Sequence, residues 1–439
     1  MDQWVLALSM MLGGIVLFIM LGMPVVMAFM TMNLIGAIVF FGGQIGIEQM
    51  IRNLRPSVAQ FALAPVPLFV LMGEFMLQTG MAGRSIEAID RLIARVPGRL
   101  SIVAVLGGTS FAALSGSSVA NAAVVGRTLL PEMQRRGYSS SIAIGPVTAV
   151  GGIAVLIPPS ALAVMLGSLA HIPIDNLLIA GIIPGLMMMA AFLAYIAIRC
   201  WLNPSIAPPY EPEEMSLWEH VMPVLRDVVP LFLIFVAVVG SMLAGIATPT
   251  ESAAIGVIAS FLAAVFYRLL TWQNFVGAFR EAVRFSAMIL FIICCSGTFS
   301  QILSFTGATQ QLTSAIVNGS GLSSFSIVVV MLVTLLFLGC FMESASILML
   351  TVPLFFPILS VLHVGSLWFG LMMMVALEIG LCTPPFGVLL FVVQGVLGGK
   401  VSLGEIYRSV LPFIMLQVGV LIIILAFPQT IAWLPALLH

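Results

Sequence analysis

Four short interruptions in long apolar runs are the places where this sequence can do chemistry. Two are prolyl pairs, Pro158-Pro159 and Pro384-Pro385. Two are small polar clusters, Ser115-Gly116-Ser117-Ser118 and Met342-Glu343-Ser344 with Ser346 close behind. A helix stopped at such a point leaves its last carbonyls unpaired, and the helix that resumes leaves its first N–H groups unpaired. Carbonyl ends suit a hard cation such as Na+. N–H ends, at the positive end of the helix dipole, suit a carboxylate. In each prolyl-broken run the first half-helix is expected to end just before Ile157 or Thr383. The second half is expected to open on proline, which loses no needed donor there. Hydroxyls from the polar clusters add oxygen ligands, and Gly116 lets the chain reverse without a Cβ clash.

These expectations define two cation sites. The first joins Ser115, Gly116, Ser117 and Ser118 to Gly152, Ile157 and Pro158. The second joins Glu343 and Ser344 to Glu378, Thr383 and Pro384. Asn121, Pro159, Ser160, Ser346 and Pro385 face the same breaks and are candidates for an anionic substrate.

The two sets are in register. The prolyl pairs lie 226 residues apart, and so do Pro131 and Pro357; Thr79-Gly80 and Thr306-Gly307 lie 227 apart. Several landmarks at one offset indicate an internal duplication. At that offset Glu343 stands where Ser117 stands.

The elements that carry these residues must be membrane helices. The chain is 61% hydrophobic and 8% charged, with a net charge of −1 and a mean hydropathy of +1.20. Soluble domains are about 25% charged, so this chain cannot cover a water-facing surface. Spans are expected at about 5–22, 24–42, 60–80, 176–199, 228–246, 250–270, 285–304 and 410–428. The serine and glutamate clusters sit in hairpins at 100–135 and 324–360, and the prolyl pairs in broken spans at 140–170 and 366–397. The fold class is therefore an all-α polytopic membrane protein, an inverted repeat with two re-entrant hairpins and two discontinuous spans. The expected domains are a first repeat over 1–201, a cytoplasmic linker over 202–227 and a second repeat over 228–439. The opening apolar run is too long for a cleaved signal peptide.

Topology follows from the basic residues. If each hairpin returns to its own side, each half makes an odd number of crossings and the second half is inverted. Arg84, Arg91, Arg95, Arg99, Arg127, Arg135, Arg136, Arg199, Arg226, Arg268, Arg280, Arg284, Lys400 and Arg408 then share one side, which is cytoplasmic, and only Arg52 and Arg55 lie opposite. Both termini are expected outside. Inverted repeats with broken helices mark many secondary transporters.

Other chemistries are excluded or bland. Neither HExxH nor a Walker A sequence occurs, so metallopeptidase action and nucleotide hydrolysis by that route are not expected. The five cysteines have no metal spacing and read as small buried residues. His171, His220, His363 and His439 read as loop or terminal histidines. Glu251 follows Thr250 at a helix start and reads as a cap. Glu74 is expected to pair with a neighbouring helix or with an arginine, and Arg127 to snorkel to the cytoplasm. Nothing indicates nucleic acid.

The stretch Gly108 to Asn121 (GTSFAALSGSSVAN) resembles the first hairpin of the large permease subunit of TRAP transporters. Pro67 to Glu74 (PLFVLMGE), Ile157-Pro-Pro-Ser160 and Cys382-Thr-Pro-Pro-Phe386 resemble the same family, in order over nearly the whole chain. The resemblance implies a bacterial inner-membrane, sodium-driven, elevator-type uptake system for an organic acid anion. Its implied partners are a periplasmic solute-binding protein and a small four-helix membrane subunit. The latter is expected on a separate chain, because this one starts directly with its first span. Membrane lipid surrounds both subunits, no cofactor is implied, and Na+ is the coupling ion. In the family, cation sites lie at the hairpins and broken helices. The related dicarboxylate/sodium symporters carry Ser-Asn-Thr at the hairpin tip, where this chain has Ser-Gly-Ser-Ser. A stand-alone sodium/carboxylate symporter of the same architecture is the alternative.

Overall fold

Hydrocarbon offers no water to a backbone N–H or C=O, so apolar runs of this length satisfy their backbone as helices. The structure, a computed structural model, describes residues 3–93, 96–208 and 217–431, and its regular elements there are all helical. Arg95, His439 and the middle of the linker, 209–216, lie outside the described residues. Among the described residues, eight helices are long and apolar enough to cross a bilayer: Gln3–Met20, Phe61–Gln78, Ile174–Leu202, Val221–Leu243, Pro249–Phe266, Trp272–Phe305, Ser344–Val361 and Leu403–Ala426. Shorter apolar helices complete the hairpins and the broken spans.

The duplication extends from landmarks to whole helices. Met81–Leu92 and Ala308–Gly319 are both 12 residues long, and each starts behind a left-handed glycine, Gly80 (φ 74°) or Gly307 (φ 71°). Ser118–Arg135 and Ser344–Val361 are both 18 residues long and begin 226 residues apart.

The first hairpin runs up Arg99–Ser115, reverses at Gly116 (φ 58°) and returns along Ser118–Arg135, with Ser117 as N-cap. The second runs up Ser324–Gly339 and returns along Ser344–Val361, with Glu343 at the N-cap position. The first broken span comprises Ser140–Ala149, a 3-10 turn Val150–Ile153, an irregular stretch and Ala161–Ala170. The second comprises Ser366–Cys382 and Val388–Val396.

Three details differ from the sequence-based expectation. The first broken span leaves α-helical geometry at Ala149, well before Ile157. Gly151 and Gly152 follow, each about 1 kcal/mol worse than alanine in a helix, and the Asn121 amide takes the Val150 carbonyl at 3.0 Å. The prolines do not open the second half-helices. Both pairs lie in the connecting turn, each with a cis bond between its prolines, and the helices resume at Ala161 and Val388. Finally, the third span of the second half is not confined to 285–304. It is one helix of 34 residues, Trp272–Phe305. The matching stretch of the first half is divided into Gln44–Val58, a 3-10 turn Phe61–Leu63 and Pro65–Gln78. Pro56, Pro65 and Pro67 lie in the divided copy, and the continuous copy contains no proline. Proline removes a helical donor and clashes with the preceding turn.

Aromatic packing joins the halves near this feature. The Phe75 ring centroid lies 5.8 Å from that of Phe261 and 5.9 Å from those of Phe275 and Phe279. Glu251 and Thr248 form a reciprocal capping box at the start of Pro249–Phe266, the local role expected of this glutamate.

Candidate functional site

Each hairpin tip meets the break of its own half. In the first half the contact is backbone on backbone. A Cβ on Gly116 would lie 2.6 Å from the Pro159 carbonyl oxygen, and one on Gly151 would lie 3.0 Å from the Ser118 carbonyl oxygen. Gly116 is therefore needed twice, for its left-handed φ and for this approach. The Ser117 hydroxyl accepts from the Ala120 N–H at 3.3 Å, and the Ser115 hydroxyl accepts from the Ser117 N–H at 3.5 Å. Residues 151–160, including Gly152, Ile157, Pro158 and Pro159, are all buried. Ser160 caps its own half-helix by accepting from the Ala163 N–H at 3.2 Å. Asn121 is fully buried and ties the returning arm to the break, while its amide oxygen has no partner.

In the second half the contact is made by side chains. The Phe341 ring at the tip lies 5.8 Å from the Phe386 ring, which directly follows the prolyl pair. The Thr383 hydroxyl donates to the Ile379 carbonyl at 2.6 Å, and the Tyr407 hydroxyl donates to the Pro385 carbonyl at 2.7 Å. Gly387 packs on the Leu381 and Thr383 carbonyls, where a Cβ would come within 2.6 and 2.9 Å. Pro385 and Phe386 are exposed and Pro384 is half-buried. Glu343 is exposed and makes no side-chain cap bond. Ser344 and Ser346 are buried, and the Ser344 hydroxyl has no partner.

Glu378 requires a correction. Proximity in sequence put it with the second tip, but its carboxylate accepts a hydrogen bond from the Ser118 hydroxyl of the first hairpin at 2.9 Å. Helix Ser366–Cys382 crosses to the first break, and the position of a Gly152 Cβ lies only 3.7 Å from a Glu378 carboxylate oxygen. Beside them stands Gln417, fully buried with both amide atoms unpartnered. Sequence reasoning passed over Gln417. Its signal was an amide in the middle of a 24-residue apolar helix.

Glu74 accepts from the Gln78 amide of its own helix at 3.3 Å rather than from a neighbouring helix or an arginine. The five cysteines are free, four of them buried and Cys340 half-buried. His171 and His363 take left-handed backbone positions at helix ends. Among the described residues no cluster of three or more His, Cys, Asp or Glu could hold a metal ion. The breaks offer carbonyl, hydroxyl and single-carboxylate oxygens, donors that suit a hard cation better than a transition metal.

Residues 12–430 match the family described as "Tripartite ATP-independent periplasmic transporter, DctM component". The chain is 30% identical to the C4-dicarboxylate TRAP transporter large permease protein DctM of Rhodobacter capsulatus, over 99% of this chain and 98% of that one. It is 33% identical to the protein of the same description from Pseudomonas aeruginosa, over 89% and 90%. It is 28% identical to the 2,3-diketo-L-gulonate TRAP transporter large permease protein YiaN of Escherichia coli, over 97% of each. Among solved structures, the Alcanivorax borkumensis YdaH transporter superposes with a TM-score of 0.63 at 13% identity, covering 88% of this chain and 90% of that one. At that identity the likeness is one of fold.

Proposed function

We propose a function from one premise: the chain belongs to the DctM component family of the tripartite ATP-independent periplasmic transporters. It is a multi-pass inner-membrane protein and a large permease subunit. Beyond that, we read it as the sodium-driven translocating subunit for an organic acid anion, working with a small membrane subunit and a periplasmic binding protein. Relatives named for a C4-dicarboxylate and for 2,3-diketo-L-gulonate favour an organic acid as cargo.

The observation that carries the reading is the seating of each hairpin tip on the break of its own repeat. Irregular backbone inside a membrane protein persists where protein or a watery cavity satisfies it, and paired broken helices supply ion and carboxylate sites at the midplane. The first Na+ site draws on Ser115, Gly116, Ser117 and Ser118 with Gly152, Ile157 and Pro158. The second draws on Glu343 and Ser344 with Thr383 and Pro384. Asn121, Pro159, Ser160, Ser346 and Pro385 border the anion between them. The repeats 1–201 and 228–439 lie inverted about the linker 202–227, and the bilayer is traversed by an elevator movement of the hairpins and broken spans as one unit.

The test is uptake into liposomes holding this chain and its small subunit, with loaded binding protein outside. Uptake is expected only with an inward Na+ gradient, with no nucleotide added. Full uptake in sodium-free medium overturns the ion assignment. Full uptake without the binding protein favours a stand-alone symporter.

A further inference from the structure

We propose that Glu378, Ser118 and Gln417 form an additional buried binding site for a monovalent cation, at the contact between the two repeats and beside the first tip site, with which it shares Ser118. The proposal rests on the sodium-coupled reading above and adds a site to it.

Three observations on separate elements converge. Glu378, fully buried on helix Ser366–Cys382, uses one carboxylate oxygen to accept from Ser118, and its other oxygen has no partner. Gln417, fully buried on helix Leu403–Ala426, has neither amide atom partnered. The Cys382 thiol, a weak hydrogen-bonding group, lies beside that amide. Gly152, in the first break, packs directly against both side chains. The place its Cβ would occupy is 2.9 Å from the Gln417 amide nitrogen and 3.7 Å from the Glu378 carboxylate oxygen that Ser118 bonds.

A buried carboxylate must be neutralised, by a proton on it or by a cation beside it. An isolated buried carboxylate costs several kcal/mol even after relaxation, and unpaired buried amide atoms cost about 1–3 kcal/mol each. No ion pair among the described residues involves Glu378. One Na+ beside Glu378 makes the site electrically neutral. It draws on the unpartnered carboxylate oxygen, and on the Gln417 oxygen once the amide is turned, an exchange of near-identical shape. The Ser118 hydroxyl holds the carboxylate in place from the first hairpin. Because Ser118 of the first hairpin positions the carboxylate that holds the ion, an ion here ties the state of the first hairpin to helices of the second half.

The test measures Na+ binding directly, on the full chain purified with its small subunit. Radioactive Na+ counted at saturation is expected to fall by one ion per chain in Glu378→Gln. Gln417→Leu, which keeps the carboxylate, is expected to retain that ion with affinity lowered by about 10- to 100-fold, the range for loss of a supporting ligand. Protection against heat unfolding by added NaCl, with choline chloride as control, should shift in parallel. If both variants bind the wild-type number of ions with wild-type affinity, the site does not exist while sodium coupling stands. If wild-type protein binds no Na+, the sodium reading and this site fall together. Should Glu378→Gln fail to fold, unchanged Na+ affinity in Gln417→Leu is enough to overturn the proposal.

Discussion

The two hairpin-and-break pairs occupy matching places in a duplicated chain, yet their parts meet in different ways. The first tip presents a glycine to a carbonyl, and its whole break is buried. The second tip presents Met342, which is not left-handed, and a phenylalanine ring that meets another ring on an exposed turn. A backbone contact through glycine tolerates almost no displacement. A ring pair is satisfied over a range of offset and edge-on geometries. At the tips themselves, duplication has thus yielded one contact of backbone on backbone and one of ring on ring, and the difference lies in a few side chains rather than in the helical frame.

Substitution can break this comparison most sharply at the first tip. Gly116→Val is expected to abolish detectable uptake, because left-handed strain and overpacking each cost about 1–3 kcal/mol. Met342→Val at the matching position should leave most activity. Equal uptake by the two variants would erase the distinction.

A second contrast concerns the helix crossing behind each tip. Gly339 and Gly380 touch through their backbones, and a Cβ on either would lie 2.6 or 2.5 Å from the other glycine's Cα. The matching residues of the first half are Ala113 and Ala154. Gly339→Ala should destabilise the purified protein by about 1–3 kcal/mol, whereas Ala113→Gly should cost only about 0.5–1 kcal/mol. Thermal unfolding of the two variants side by side checks the order.

Phe386→Ala tests whether the ring pair is what seats the second tip. Edge and stacking terms between rings are worth about 0.5–1.5 kcal/mol beyond area. Cysteine labelling at position 343 is expected to speed up accordingly, with labelling at 117 unchanged. The same labelling rates in variant and parent would assign the seat to other contacts.

The smallest effect belongs to the base of the first hairpin. There Glu132 pairs with Arg135 and Arg136, a cluster with no counterpart in the second hairpin, where Ile358 stands. Hydrogen bonding to Arg135 is the chief influence holding the Glu132 carboxyl below its ordinary range. A lowered carboxyl contributes stability that is present above the ordinary carboxylate range and lost as pH falls through the lowered value. Glu132→Gln should therefore destabilise by less than about 1 kcal/mol at neutral pH, with the difference from wild type vanishing in acid.

What the sequence disclosed about this fold was whatever repeats or is local. The prolyl pairs, the polar clusters and the Thr-Gly steps located both hairpins and both breaks, because each is a local failure of helix geometry that the chain states twice. The capping role of Glu251 was also legible, since its partner is three residues away. The Glu378–Ser118 bond was not, because 260 residues separate the partners and the repeat offset steers the reader to the nearer tip. Nor was the early end of the first half-helix. Two glycines tolerate either conformation, and the deciding bond comes from Asn121 on a different element.

The continuous helix Trp272–Phe305 has a mechanical consequence. At 1.5 Å per residue its 34 residues form a rod of about 51 Å, well beyond the hydrocarbon thickness of about 30 Å. Its proline-divided twin is hinged at Ala59 and Gln60, between Gln44–Val58 and Phe61–Leu63. One half of the molecule therefore carries a stiff beam and the other an elbow. A force passed between the halves bends the elbow long before it buckles the beam, so compliance is concentrated in the first half and leverage in the second.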